Sequence, residues 1–234
     1  MMKLTKNRVL GLAIGLTMLG IAAPGALAQN SGKPGAATPA AAGQPEKKEH
    51  KNDAKHEAAK VGEQAPAFEL KDLDGKTVKL SDYKGKIVVL DWFNPDCPVC
   101  AMHYKANSVQ NLAKKFSDKN VVFLAINSGG KGMQGTGVER NASAKKDWNI
   151  AFPVLLDESG TVGKAYGAKT TPHCYVIDAK GTLVYAGGID NGSPGKIGTE
   201  NYVEKAVEQT LKGETVTTST SKPYGCAVKY GKGA

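Results

Sequence analysis

Two cysteines separated by two residues are the part of this sequence best suited to chemistry. Cys97 and Cys100 enclose Pro98 and Val99. Such a pair serves most often as half of a structural zinc site or as a redox dithiol. Here it follows an apolar run and opens a helical pattern, which predicts Cys97 at a helix N-terminus. Free N–H groups and the helix dipole stabilise an anion there, and can lower a thiol pKa from about 8.5 to between about 3.5 and 7.5.

The spacing predicts different roles for the two thiols. Cys97 is the expected nucleophile, and Pro98 suits the first helical turn, where its missing N–H is not needed. Cys100, one turn further on, is the expected resolving thiol. It would attack the mixed disulfide between Cys97 and a substrate, release the reduced substrate and leave a Cys97–Cys100 disulfide. The same steps in reverse would oxidise the substrate.

Two other features could serve this chemistry. Asp91 ends the apolar run six residues before Cys97. A desolvated carboxyl there would have a raised pKa and could relay a proton for Cys100, whereas the alternative is a strand-end carboxylate in contact with water. Thr171 and Pro172 are candidates for a cis peptide bond, in a loop that would offer backbone groups to an extended substrate chain. The alternative is an ordinary trans turn.

The remaining cysteines stand alone in the sequence. Cys174 follows Pro172 on a predicted strand and is most simply a small buried hydrophobe. Cys226 lies in a tail whose Pro and Gly residues could fold it back. It could then pair with Cys174 in a structural disulfide or act as a third redox thiol, and the spacing does not choose between them.

The elements that must position these residues follow from the apolar pattern. Residues 68–70 and 77–80 flank Asp74-Gly75 and predict a hairpin, and a second hairpin is predicted over residues 175–185. Runs at 87–90 and 121–126 are typical of strands buried on both faces. Helices are predicted over residues 99–116, 142–147 and 202–211. This order predicts an α/β sandwich in which helices flank a central mixed sheet.

The N-terminal region has a different composition. Residues 1–8 are basic, residues 9–25 are almost entirely apolar, and Ala26-Leu27-Ala28 resembles a cleavage site. We predict a signal peptide over residues 1–28, with a retained membrane anchor as the alternative. Residues 29–60 contain no apolar residue larger than Ala and predict a disordered linker. The folded domain is then expected over residues 61–212, followed by a C-terminal tail over residues 213–234.

Export determines how the cysteines and the charge are interpreted. A periplasmic or other extracytoplasmic location permits disulfides. The net charge of +9 is spread along the chain and favours a solvated surface over nucleic-acid binding. We expect no nucleic-acid partner, no stable membrane insertion unless the leader is retained, and no bound metal or cofactor.

Several motifs together resemble the redoxin branch of the thioredoxin-like superfamily. The sequence is similar to the alkyl hydroperoxide reductase/thiol-specific antioxidant group and to periplasmic TlpA- and ResA-type thiol-disulfide oxidoreductases. The resemblance implies a thioredoxin-like sandwich with an N-terminal hairpin extension, Asp91 as the buried acid and Pro172 as the cis-proline. It also implies protein thiols or disulfides as substrates and a redox partner protein. The motifs are residues 91–100, 152–157, 165–167, 171–172 and 175–181.

Departures from the family pattern leave two alternatives. Asp96 replaces the usual Trp before Cys97 and would oppose thiolate formation. Peroxiredoxins have a Thr three residues before the peroxide-reacting Cys and an Arg beside it, where this sequence has Asn94 and, after the predicted cleavage, one Arg, Arg140. A peroxidase is therefore the first alternative.

Copper delivery is the second alternative. Cys97, Cys100 and His103 resemble the soft-ligand set of a copper carrier, which His173 or Cys174 could complete. The simpler expectation for His103 is a solvent-facing position on the helix.

Overall fold

The computed structural model describes residues 58–231. The predicted signal peptide and almost all of the predicted linker lie outside these residues. Within residues 58–231, no helix is both long enough and apolar enough to cross a membrane.

Seven strands form the central sheet, in the spatial order β2-β1-β5-β4-β3-β7-β8. Strand β3 runs parallel to β4 and antiparallel to β7, so the sheet is mixed as predicted. Strands β6 and β9 form a separate antiparallel pair. The strands are β1 (Glu69–Asp72), β2 (Thr77–Lys79), β3 (Ile87–Trp92), β4 (Val121–Asn127), β5 (Val154–Leu156), β6 (Thr170–Thr171), β7 (Cys174–Ile177), β8 (Leu183–Gly187) and β9 (Cys226–Ala227).

Two hydrophobic clusters cover the faces of this sheet. Ile87 and Val89 of β3 belong to one cluster, and Val88 and Leu90 belong to the other. Strand β3 is therefore buried on both sides, which explains its continuous apolar run. The helices are α1 (Pro98–Lys105), α2 (Ser108–Lys115), α3 (Val138–Asp147), α4 (Thr161–Tyr166) and α5 (Tyr202–Leu211), with a 3-10 turn at Leu80–Tyr83.

The prediction of one helix over residues 99–116 is wrong, because the chain breaks between α1 and α2. Asn107 adopts the left-handed conformation, with φ of 56°. Asparagine tolerates this conformation better than most residues. Val99 and Val109, one on each side of the break, still pack in the same cluster. The apolar periodicity therefore continues across the break and conceals it.

Other differences concern short elements. Helix α3 begins at Val138, four residues before the predicted start. Strand β5 and helix α4 were not predicted, and both are short. The hairpins β1–β2 and β7–β8 and helix α5 agree with the predictions.

Candidate functional site

The end of β3 and the start of α1 place Cys97 at the N-terminus of a helix. Cys97 is the residue that precedes α1, with φ −83° and ψ 120°, and Pro98 takes the first helical position. The N–H of Ala101 donates to the carbonyl of Cys97 at 2.9 Å, which closes the first turn. The prediction that Cys97 lies at a helix N-terminus, with Cys100 in the first turn of that helix, is confirmed.

The two thiols of this turn have opposite acidities. The pKa of Cys97 is lowered to about 4, chiefly because Cys100 donates a hydrogen bond to its sulfur, and Cys226 donates another. Burial raises the pKa of Cys100 well above its ordinary value, and its bond to Cys97 raises it further. At neutral pH the site therefore holds one thiolate, on Cys97, beside a protonated Cys100.

Neighbouring residues shield the Cys97 sulfur from solvent. The residue is only 2% exposed. Its sulfur lies 3.0 Å from the backbone oxygen of Thr171 and contacts Cys226, which is itself half-buried. Cys226, from the C-terminal tail, therefore helps to cover the sulfur on this side, and the sequence alone did not predict this contact.

Asp91 lies beneath the dithiol and away from solvent. Its side chain is 2% exposed, and desolvation raises its pKa to about 7. The hydroxyl of Tyr104 donates to one carboxylate oxygen at 2.7 Å, and the thiol of Cys174 lies 3.6 Å from the other. The alternative of a carboxylate in contact with water is therefore wrong. The charge of Asp91 also helps to raise the pKa of Cys100.

The Thr171–Pro172 peptide bond is cis, as predicted. The loop that contains it faces the dithiol, since the Thr171 oxygen is within 3.0 Å of the Cys97 sulfur. Thr171 also belongs to β6, whose edge pairs with β9 rather than standing free.

Comparisons with known proteins agree with this geometry. A sequence model of the AhpC/TSA family matches residues 61–186. The chain belongs to this family.

Individual relatives of this AhpC/TSA protein give a finer picture. It is 32% identical over 126 residues to the thiol-disulfide oxidoreductase ResA of Geobacillus thermodenitrificans, covering 54% of this chain and 68% of that one. It is 29% identical over 154 residues to ResA of Bacillus thuringiensis, covering 64% of this chain and 81% of that one. The crystal structure of an uncharacterized conserved protein from Geobacillus kaustophilus has a TM-score of 0.69 at 31% identity, covering 75% of this chain and 94% of that one. The predicted redoxin family, thioredoxin-like fold and oxidoreductase class are confirmed.

The negative charge of Asp96, next to Cys97, is balanced by a neighbouring cation. Arg140 of α3 forms an ion pair with Asp96 at 2.7 Å and donates to the backbone oxygen of Pro95 at 3.0 Å. The expected opposition of Asp96 to the thiolate is therefore offset by a cation. Sequence reasoning missed this pair because its members are 44 residues apart.

Arg140 and Asn94, the residues to compare with the Arg and Thr of a peroxiredoxin site, bond to groups other than the Cys97 sulfur. Arg140 is held by Asp96 rather than by Cys97. Asn94 accepts a hydrogen bond from the N–H of Asp96 at 2.8 Å and donates to Gln134 at 3.0 Å. No observation at these positions favours the peroxidase alternative.

The expectation that His103 faces solvent is wrong. It is completely buried, and its Nε2 lies 2.9 Å from the hydroxyl of Tyr224, because the C-terminal tail packs against α1. His173 accepts a hydrogen bond from the N–H of Lys169 at 3.3 Å through Nδ1. Between residues 58 and 231, no three His, Cys, Asp or Glu side chains are grouped so that they could hold a metal ion. The copper alternative thus has no ligand cluster in this part of the chain.

Proposed function

We propose that this chain exchanges disulfides with protein substrates through Cys97 and Cys100. The observation that carries the proposal is the position of the Cys97 sulfur at the start of α1, with a hydrogen bond from the protonated Cys100 thiol. A thiolate is the attacking species in thiol-disulfide exchange, and a neighbouring thiol completes the reaction. The thiol-disulfide oxidoreductase names of the ResA relatives support the same activity.

The first step is attack by the Cys97 thiolate on one sulfur of a substrate disulfide. A Cys97–substrate disulfide forms, the substrate S–S bond breaks, and the other substrate sulfur leaves as a thiolate. The backbone of Thr171 lies beside the reacting sulfur, so this loop is suited to hold the substrate main chain.

The second step is attack by Cys100, which must first lose its proton. Once Cys97 is in a mixed disulfide, its negative charge is gone. The hydrogen bond from Cys100 to that thiolate and the repulsion by its charge, which both raise the pKa of Cys100, are then lost. Asp91, with a pKa of about 7, is the acid-base group suited to take up the proton. The Cys100 thiolate then attacks the Cys97 sulfur, the substrate leaves as a thiolate, and a Cys97–Cys100 disulfide remains.

The location and the partners belong to the same proposal. The leader pattern of residues 1–28 supports an extracytoplasmic site of action, where disulfides persist. The substrates are then extracytoplasmic proteins, and a separate redox protein restores the dithiol.

Trapping the mixed disulfide tests the proposal. The double variant Cys100→Ala/Cys226→Ala lacks both thiols that contact Cys97, so an adduct formed there should persist. We expect it to accumulate a covalent complex with insulin on non-reducing electrophoresis, and a glutathione adduct with oxidised glutathione, both released by dithiothreitol. Peptide mapping should place both adducts on Cys97, and the variant with Cys97→Ala added should form neither.

The two probes separate the parts of this proposal. If neither insulin nor glutathione attaches to Cys97, the exchange mechanism is wrong. If glutathione attaches and insulin does not, protein disulfides are not substrates.

A further inference from the structure

The C-terminal segment, defined here as residues 224–230, folds back along the loop that faces the dithiol. Strand β9 pairs antiparallel with β6, with Cys226 opposite Thr171. The N–H of Val228 donates to the oxygen of Lys169 at 3.1 Å, and the hydroxyl of Tyr230 donates to the oxygen of Ala168 at 2.8 Å. The segment therefore occupies the backbone edge that an extended substrate chain would use.

A polar network fixes the start of the C-terminal segment. The hydroxyl of Tyr224 donates to the carboxylate of buried Asp190. Since that hydroxyl has one proton, Nε2 of His103, 2.9 Å away, is the donor in the second bond. The N–H groups of Gly192 and Gly198 complete the carboxylate partners of Asp190, at 2.8 and 2.9 Å.

Gly225 allows the close approach of the segment to the site. A Cβ at this position would lie 2.2 Å from the backbone oxygen of Thr171, and its φ of +140° is one that other residues rarely adopt. No side chain fits there without moving β9 away from β6. Glycine at position 225 therefore lets the segment approach closely enough for Cys226 to reach the dithiol.

The Cys226 thiol contacts the nucleophile directly. Cys226 lies opposite Thr171, whose backbone oxygen is 3.0 Å from the Cys97 sulfur, and its thiol donates a hydrogen bond to that sulfur. Cys226 is half-buried and Cys100 is completely buried, so ionising Cys226 carries the smaller desolvation cost. Both thiols are free in this structure, and both lie against the same sulfur.

We propose that Cys226 is a third redox thiol that forms a disulfide with Cys97. The C-terminal segment then acts as an internal substrate, bound at the edge of β6 where the chain of a protein substrate would pair. This inference rests on the proposed exchange activity and deepens it. A protein substrate must displace the segment from β6, because both would pair with the same backbone edge.

The chemistry is two successive exchanges. A small disulfide, R–S–S–R, reacts with the Cys97 thiolate to give Cys97–S–S–R and one thiolate R–S⁻. Cys226 gives its proton to the released R–S⁻ and attacks the Cys97 sulfur, so the Cys97–Cys226 bond forms, the bond from Cys97 to the R sulfur breaks, and the second R–S⁻ leaves. Two protein thiols are thereby oxidised, and the small disulfide is reduced to two thiols.

Cys100 then completes the sequence. Its thiolate attacks Cys97, the Cys97–Cys226 bond breaks, and Cys226 leaves as a thiolate that takes up a proton. The disulfide is now Cys97–Cys100, and the C-terminal segment is no longer covalently held over the site. The C-terminal segment is then held on the β6 edge by hydrogen bonds alone, as in the reduced protein, so that a substrate chain can displace it.

Peptide mapping of the full chain with Cys100→Ala tests the inference. The variant is treated with oxidised glutathione, free thiols are blocked, and the protein is digested with trypsin without reduction. Cleavage after Lys and Arg separates the relevant cysteines into peptides 87–105, 170–180 and 213–229, since Lys222 precedes Pro223. We expect peptides 87–105 and 213–229 to be joined by a disulfide, with little glutathione left on Cys97.

Three further variants in the same background sharpen the test. Adding Cys226→Ala should leave Cys97 carrying glutathione. Adding Gly225→Ala should slow formation of the linked peptide by about tenfold, because the new Cβ must push β9 away. Adding Gly231→Ala, where a Cβ would be 3.5 Å from Gly130, should have no such effect.

The possible results separate this inference from the exchange activity. If Cys97 carries glutathione equally with and without Cys226, and no linked peptide forms, the inference is wrong and the exchange activity stands. A link from Cys97 to Cys174 instead, or equal rates for the Gly225→Ala and Gly231→Ala variants, also overturns the inference. If Cys97 forms no disulfide of any kind, the exchange activity itself fails.

Discussion

Replacing Cys97 by alanine is expected to reduce disulfide exchange with insulin to the rate measured without the protein. The other cysteines cannot take over, because burial, the largest cause that raises the pKa values of Cys100, Cys174 and Cys226, persists when Cys97 is removed. The thiolate that begins the reaction is therefore lost. The measurement is the turbidity of precipitating insulin chains in the presence of dithiothreitol.

The matched control for this loss is the double variant Cys100→Ala/Cys226→Ala, which lacks both thiols that could resolve an adduct on Cys97. It keeps the nucleophile, so it should still form an adduct on Cys97, whereas Cys97→Ala should form none. Circular dichroism checks that both variants are folded. Catalysed exchange by folded Cys97→Ala would contradict the assignment of the nucleophile.

Replacing Asp91 by asparagine is expected to stabilise the reduced protein at alkaline pH. Burial raises the pKa of Asp91 from 3.8 to about 7, so the folded state favours the protonated acid. The stability that this acid contributes is complete below its unfolded pKa and is lost as the pH rises through 7. Above pH 7 the folded state holds a buried carboxylate, at a cost of up to about 4 kcal/mol.

Asparagine avoids this cost because it is neutral at every pH. Its amide oxygen can still accept the Tyr104 hydroxyl, although its N–H₂ group gives the Cys174 thiol no acceptor. We expect the free energy of unfolding of Asp91→Asn to exceed that of the wild type by about 2–4 kcal/mol at pH 8.5, and by less at pH 4.5. Urea unfolding with a phosphine reductant at the two pH values measures it.

The control for Asp91→Asn removes the same charge from the surface. Asp118 is exposed, so Asp118→Asn should change stability little at either pH. A gain for Asp91→Asn that does not grow with pH would contradict a raised pKa at this site. Asp91→Asn should also slow release of the mixed disulfide, since Cys100 loses its expected proton acceptor.

The sequence was sufficient to predict the elements that carry the dithiol. Apolar runs at residues 87–90 and 121–126 identify strands whose two faces are both covered, and Cys97 follows the first of them. Local rules therefore place the sulfur at a helix N-terminus. The same rules failed at Asn107, since a single left-handed residue interrupts the helix without disturbing its apolar face.

The contacts over the site could not be predicted in the same way. Cys226 approaches Thr171 across 55 residues, and Arg140 approaches Asp96 across 44. Neither pairing leaves a periodic signal. His103 was misplaced for the same reason, because Tyr224, which covers it, is 121 residues away. Local periodicity carries information about a residue's own element, whereas these contacts depend on how distant segments pack.

The central claim is that the Cys97 sulfur is an anion at neutral pH, held by the thiols of Cys100 and Cys226. Thiolate absorbance at 240 nm, titrated in the reduced wild type and corrected by subtracting Cys97→Ala, measures this directly. We expect a midpoint near pH 4, and in Cys226→Ala a midpoint roughly 1–2 pH units higher, because each hydrogen bond to a charged group contributes about 1.5–3 kcal/mol. A wild-type midpoint between pH 8 and 9, that of an ordinary thiol, would contradict the account.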